Sequence, residues 1–173
     1  NDDSYKFLLE QSKNREFAKA IIQCVPLNVE IEQATAVYKN LFLVDTKVLA
    51  QNREFYSVLE YMYHNGESSL VCDILIKCHP NEQLFKASNL SSLIAREFQE
   101  ADDAKSIKMM TTIYVILSLF NVDELTVFQK KYLNLLFSKK VEARKPAFLC
   151  SIAAGKYIDG YDFSILLPIA AFF

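Results

Sequence analysis

FYSVLEYMYHNGESSLVCDILIKC, residues 55–78, is the stretch whose reading decides the fold. Phe55, Val58, Leu59 and Met62 stand at i, i+3, i+4 and i+7, the spacing of one helix face. His64-Asn65-Gly66 interrupts the pattern, and Leu70, Val71, Ile74 and Cys78 resume a helical spacing beyond it. The stretch therefore predicts two amphipathic helices folded back on each other. A lone hairpin of this kind leaves its apolar face in water, so it must pack on neighbours.

The flanking sequence supplies those neighbours. Residues 5–12 and 16–24 are short apolar runs separated by Lys13-Asn14-Arg15, and they predict a first hairpin that Pro26 ends. Asn28 is expected to cap the next helix, whose face carries Ile31, Ala34, Tyr38 and Leu41. Asp45 opens a short segment to Ala50, and Asn52 caps the helix of Phe55. Pro80 stops the helix that ends near Cys78, and Asn89 begins one carrying Leu90, Leu93, Ile94 and Phe98.

After the acidic connector 100–103, the longest helix is expected, with Ile107, Met110, Ile113, Tyr114, Leu117 and Phe120 in one buried stripe. Asn121-Val122-Asp123-Glu124 has capping-box spacing, and Leu125, Phe128, Tyr132, Leu135 and Leu136 form the face that follows. Pro146 suits a first helical turn and Gly155 a helix C-cap. Asp159-Gly160 reads as a turn, and residues 163–173 as a last apolar core helix bent at Pro168. Together these make about ten helices in five hairpins, near the ~34-residue period of tetratricopeptide-class repeats.

Composition agrees with this reading. The 173 residues are enough for a single domain with a sizeable core. Only 3 Gly and 4 Pro are present, too few for the many turns of a sheet protein. The expected architecture is all-α, with antiparallel helical hairpins stacked into an irregular α-solenoid. The two longest uncharged stretches, 109–122 and 163–173, fall short of the ~20 residues of a membrane-spanning helix. The apolar ending Ile169-Ala170-Ala171-Phe172-Phe173 suggests a piece of a longer chain. Cys24, Cys72, Cys78 and Cys150 each lie in or beside an apolar run, which predicts buried, reduced thiols in an intracellular protein.

Candidate chemistry is sparse. His64 falls at a hairpin turn and His79 before Pro80, positions that suit helix ends better than a general base. Glu97, Glu100, Asp102 and Asp103 cluster, but they read as a solvated connector. Metal-ligand spacings and glycine-rich phosphate loops do not occur. The expectation is a protein without catalytic residues, metal or cofactor.

The strongest charge signal is residues 130–145. Lys130, Lys131, Lys139, Lys140, Arg144 and Lys145 stand there against Glu142 alone, five net positive charges in a chain whose total is −2. Such asymmetry suits docking to an acidic partner or a phosphate backbone.

Residues 55–80 resemble one pentatricopeptide repeat, through Phe55, Val58, Met62, the turn glycine Gly66, and Leu70 with Ile74. That resemblance implies a helical-hairpin repeat in which Ser57 occupies the position that contacts an RNA base. It covers this one block; at 90–110 the acidic residues 100–103 stand where the glycine turn belongs. The leading expectation is a helical-repeat scaffold that binds, through the basic residues at 130–145, another protein whose surface is acidic. The alternative is an RNA-binding repeat protein, against which the acidic pI of about 5.7 weighs.

Overall fold

The computed structural model describes residues 2–173, and all regular structure among them is helical, with no strand. The chain divides into two compact units, the first ending at Leu90 and the second covering Ser91–Phe173.

The first unit opens with a hairpin of α1 (Asp2–Ser12) and α2 (Arg15–Gln23). The Asn14 side chain caps α2 by accepting from the Glu16 N–H at 3.0 Å. α3 (Ile31–Leu41) follows, and its N-cap is Glu30 rather than the expected Asn28. The loop past Pro26 tucks Leu27 into the core and turns through the Val29 N–H to the Leu27 carbonyl, so the helix starts later.

Asp45 caps α4 (Thr46–Leu49), as its acceptor and position predict. α5 (Arg53–His64) and α6 (Ser68–Cys78) are the hairpin of the opening stretch. Phe55, Val58, Leu59 and Met62 of α5 and Val71, Ile74, Leu75 and Cys78 of α6 are all buried and the two helices pack on each other, while Leu70 is exposed. Gly66 takes φ 82 at the turn, a conformation costly for any side chain with a Cβ. Asn52 occupies the N-cap of α5, yet its side chain donates back to the Val48 and Leu49 carbonyls instead of capping.

α7 (Glu82–Ala87), capped by Asn81, completes the unit. The buried Tyr56 hydroxyl ties this end together: it donates to the Ala50 carbonyl and accepts from the Asn81 N–H, both at 2.8 Å. Burial pushes its phenol up to about 12. Packing skips along the chain: α1 lies on α3, α3 on α5, α5 on α7, and α4 on α6.

α8 (Leu90–Glu100), all but its first residue in the second unit, is followed there by α9 (Asp103–Val115). The connector between them is two residues long, and Asp102 caps α9 by accepting from the Lys105 N–H. The expected long helix stops at Val115 and passes into a 3-10 turn, Leu117–Leu119. The β-branched run Thr111-Thr112-Ile113 with Val115-Ile116 has low helix propensity, which suits an early end.

α10 (Val122–Leu135) has the full capping box, Asn121 to the Glu124 N–H and Glu124 to the Asn121 N–H, both at 2.9 Å. Leu125, Phe128, Tyr132, Leu135 and Leu136 are all buried, and Phe128 meets Phe98 and Phe120 edge-on. α11 (Val141–Gly155) is the longest helix described, packed on both α9 and α10.

Pro146 lies inside α11, not at its first turn as the sequence suggests. Its missing N–H leaves the Glu142 carbonyl without its helical donor, a loss met by the buried packing of Ala143, Ala147 and Ala154. Gly155 is the last residue of α11 and serves a steric purpose. A Cβ there would stand 2.6 Å from Cδ1 of Tyr161 and 2.8 Å from Cε1 of Phe163.

Gly160, with φ 72, makes the expected turn. The expected core helix at 163–173 is instead a 3-10 turn, Phe163–Leu166, and a single-turn α12 (Leu167–Ala170). Leu166 is its buried anchor, whereas Phe163, Ile165, Leu167 and Phe172 are exposed. Pro168 sits at the start of α12 and bends nothing.

Candidate functional site

The predicted basic cluster separates into residues that hold structure and residues that face solvent. Lys131 reaches back to the Gln99 and Ala101 carbonyls at the end of α8, and Arg144 Nε donates to the Ser138 carbonyl at 2.8 Å. Both donate to backbone carbonyls near the end of a helix, a favourable place for a cation. Lys130, Lys139, Lys140 and Lys145 are exposed. Lys139 and Lys140 do not end α10 as expected: Leu136 closes that helix, and Lys140 is the N-cap of α11.

The acidic cluster is likewise used locally. Glu97 pairs with Lys105, and Asp103 accepts from the Ser138 hydroxyl. His64 ends α5 and His79 closes α6 in a left-handed conformation, φ 49; both are exposed. Ser57 is exposed on α5.

Lys145 has a second setting that its charge alone does not reveal. It stands at one end of an open groove of about 590 Å³ between α9 and α11. Ile107, Met110 and Tyr114 form the α9 wall. Pro146, Leu149, Ile152 and Ala153 form the α11 wall, and Lys156 lies at the far end. The two walls arise from simple periodicities: 107, 110 and 114 lie on one side of α9, and 145, 149, 152 and 156 on one side of α11.

Tyr114 is 57% exposed and Leu149 52%, a large apolar area for side chains on packed helices. Tyr114 is therefore corrected from a core position to a groove wall. Its stripe neighbours Met110, Ile113, Leu117 and Phe120 are buried as expected.

Cys150 closes the groove floor beside the buried Tyr132. Burial pushes the Cys150 thiol up to about 11, so it stays protonated and weakly nucleophilic near neutral pH. Burial raises the Tyr132 phenol as well, and the adjacent Cys150 adds to the shift. Cys78 behaves similarly, pushed up to about 12 by burial, and Cys72 is also buried. Cys24 departs from expectation: it is exposed at the C-cap of α2, where the chain has already left the helix face that enters the core. None of the four cysteines is in a disulfide.

Behind the groove, Gln129 and Ser151 form a buried reciprocal pair. The Gln129 amide donates to the Ser151 carbonyl and the Ser151 hydroxyl donates to the Gln129 side-chain oxygen, both at 2.8 Å.

Comparison with protein-family models, curated proteins and solved structures finds no match for this chain. The site is therefore read from its own geometry. Among the described residues, no group of three or more His, Cys, Asp or Glu side chains is placed to hold a metal ion. No helix of the described residues is long and apolar enough to cross a membrane.

A smaller groove of about 310 Å³ in the first unit is lined by Phe7, Phe17, Ile21, Cys24 and Leu27. It has no charged group on its walls to choose a ligand. The α9–α11 groove differs in having a lysine at each end of an apolar trough. That combination is an apolar wall flanked by two cations.

Proposed function

We propose that this chain is a non-enzymatic helical-repeat scaffold that docks a protein partner, and that the α9–α11 groove is the docking surface. The observation that carries this reading is an exposed apolar trough, Tyr114 and Leu149 foremost, bounded by Lys145 and Lys156. Interfaces of this kind draw affinity from a few large side chains and take orientation from the charges at the rim. The two rim lysines favour a partner with acidic groups flanking its apolar anchors. The skip-one packing of α1, α3, α5 and α7 in the first unit supports a solenoid-like stacking of hairpins there.

A photo-crosslinking amino acid placed at Leu149 tests the reading. Irradiation in cells should give adducts that resist nuclease and yield to protease, and Tyr114→Glu should abolish them. The same crosslinker at exposed Ser57 on α5 serves as the reference. Nucleic-acid adducts, or purified protein with a raised 260/280 nm absorbance ratio, would instead favour RNA binding by the exposed lysines and Ser57.

A further inference from the structure

We infer that the occupant of the α9–α11 groove is an amphipathic α-helix carrying two acidic residues eleven positions apart on its apolar side. This rests on the docking role of the groove and adds the partner's form and charge spacing to it.

The form follows from what the walls offer. Both walls are helices, so away from the helix ends their backbone N–H and C=O groups are already consumed within α9 and α11, save the Glu142 carbonyl opposite Pro146. An extended peptide needs a strand edge with which to share its backbone hydrogen bonds, and none is present here. A helix satisfies its own backbone and asks only for side-chain contact. A third helix lying along two others at ordinary packing distance, about 8–10 Å between axes, fits such a trough.

The charge spacing follows from α11. Lys145, Leu149, Ile152 and Lys156 stand at i, i+4, i+7 and i+11. At about 100° per residue these four share one side of the helix, and the two lysines lie about 16 Å apart along it. Lys156 keeps helical backbone angles just past Gly155, so the spacing holds to the end. Glu142 lies one turn before Pro146, but Arg144 and Lys145 outnumber it at that end. A partner helix parallel or antiparallel to α11 places carboxylates over both lysines when they are eleven residues apart. The intervals four, three and four read the same in both directions, so the stripe itself does not choose a direction.

Fluorescence anisotropy with three labelled helical peptides of equal length tests this. The first carries Glu pairs eleven apart around two leucines, the second carries them seven apart on the same face, and the third has Lys in place of both Glu at the eleven spacing. The first should bind about two- to fivefold tighter than the second, the order of a lost exposed ion pair. Leu149→Glu should abolish binding, and the double variant Lys145→Glu with Lys156→Glu should reverse the preference toward the Lys peptide. Far-ultraviolet circular dichroism of each variant confirms the fold.

Equal, Leu149-sensitive binding of the first two peptides overturns the spacing rule and leaves the docking role standing. No Leu149-sensitive binding by any peptide overturns both. Self-association in sedimentation that Leu149→Glu dissolves would place a second copy of the chain in the groove and overturn this inference.

Discussion

α10 and the C-terminal segment 163–173 both carry apolar side chains expected in the core, and they meet opposite fates. In α10, Leu125, Phe128, Tyr132 and Leu135 are buried. In the C-terminal segment, Leu166 is buried, Phe173 stacks on Phe148 at 5.2 Å, and Phe172 remains 83% exposed. The difference lies in what each segment has to pack against. α10 begins at a strong capping box and lies along a fifteen-residue helix. The C-terminal segment begins on an Asp162 turn after a glycine bend, breaks into a 3-10 turn and a single helical turn, and packs on α11 through few side chains. Periodicity states which residues favour burial; a facing surface decides whether they get it.

The largest test of this contrast is Phe128→Ala against Phe172→Ala. Truncating Phe128 should cost about 3–5 kcal/mol in urea unfolding, the range for a buried aromatic ring. The Phe172 change should stay within about 0.5 kcal/mol. Similar losses would mean that the two segments contribute equally to the core.

Gly155→Ala is the next test, because it acts at the junction of α11 and the C-terminal segment. The added methyl collides with the rings of Tyr161 and Phe163. Overpacking of this kind costs about 1–3 kcal/mol, and the loss should come with faster proteolysis after residue 156 while α10 stays protected from hydrogen exchange. Uniform loss of protection across both would merge the two regions into one cooperative element.

The two caps complete the series. Asn121→Ala removes the first half of the α10 capping box and should cost about 1 kcal/mol. Asp162 is held below the usual carboxylate range by the Ser164 hydroxyl and N–H. Its contribution is present above its unfolded-state value and is lost as pH falls through the lower folded one. Local fraying of residues 161–166 on acidification, followed by amide chemical shifts, should therefore disappear in Asp162→Asn. A variant that frays at the same pH would place the titrating group elsewhere.

What sequence could reveal follows from how local each cause is. The hairpin at 55–78, the Asp45 cap and the Asn121–Glu124 box depend on neighbours within a few residues, and the pattern exposes them directly. The tasks of Lys131 and Arg144 depend on carbonyls at Gln99, Ala101 and Ser138, of which two lie about thirty residues away from their cation, so composition shows only a run of charge. Pro146 is misplaced by sequence reasoning because propensity places proline at a helix start, whereas packing of Ala143 and Ala147 carries the helix through it. Tyr114 and Leu149 have the spacing of core residues, and only the arrangement of α9 and α11 leaves them open. A signal for the groove was present all the same: the stripe Lys145, Leu149, Ile152, Lys156 carries charge at both ends, which a buried stripe would not.

The reciprocal pair of Gln129 and Ser151 gives this part of the molecule a fixed phase. Apolar seams tolerate sliding, since one leucine resembles the next. A shift of α11 by one turn, about 5.4 Å, would break both hydrogen bonds at once and strand a buried amide and a hydroxyl, each at a cost of about 1–3 kcal/mol. α10 and α11 therefore behave as a keyed joint. Under thermal or mechanical load the joint holds its position until it opens altogether, and the ruler marked on α11 by its two lysines keeps a constant length until then.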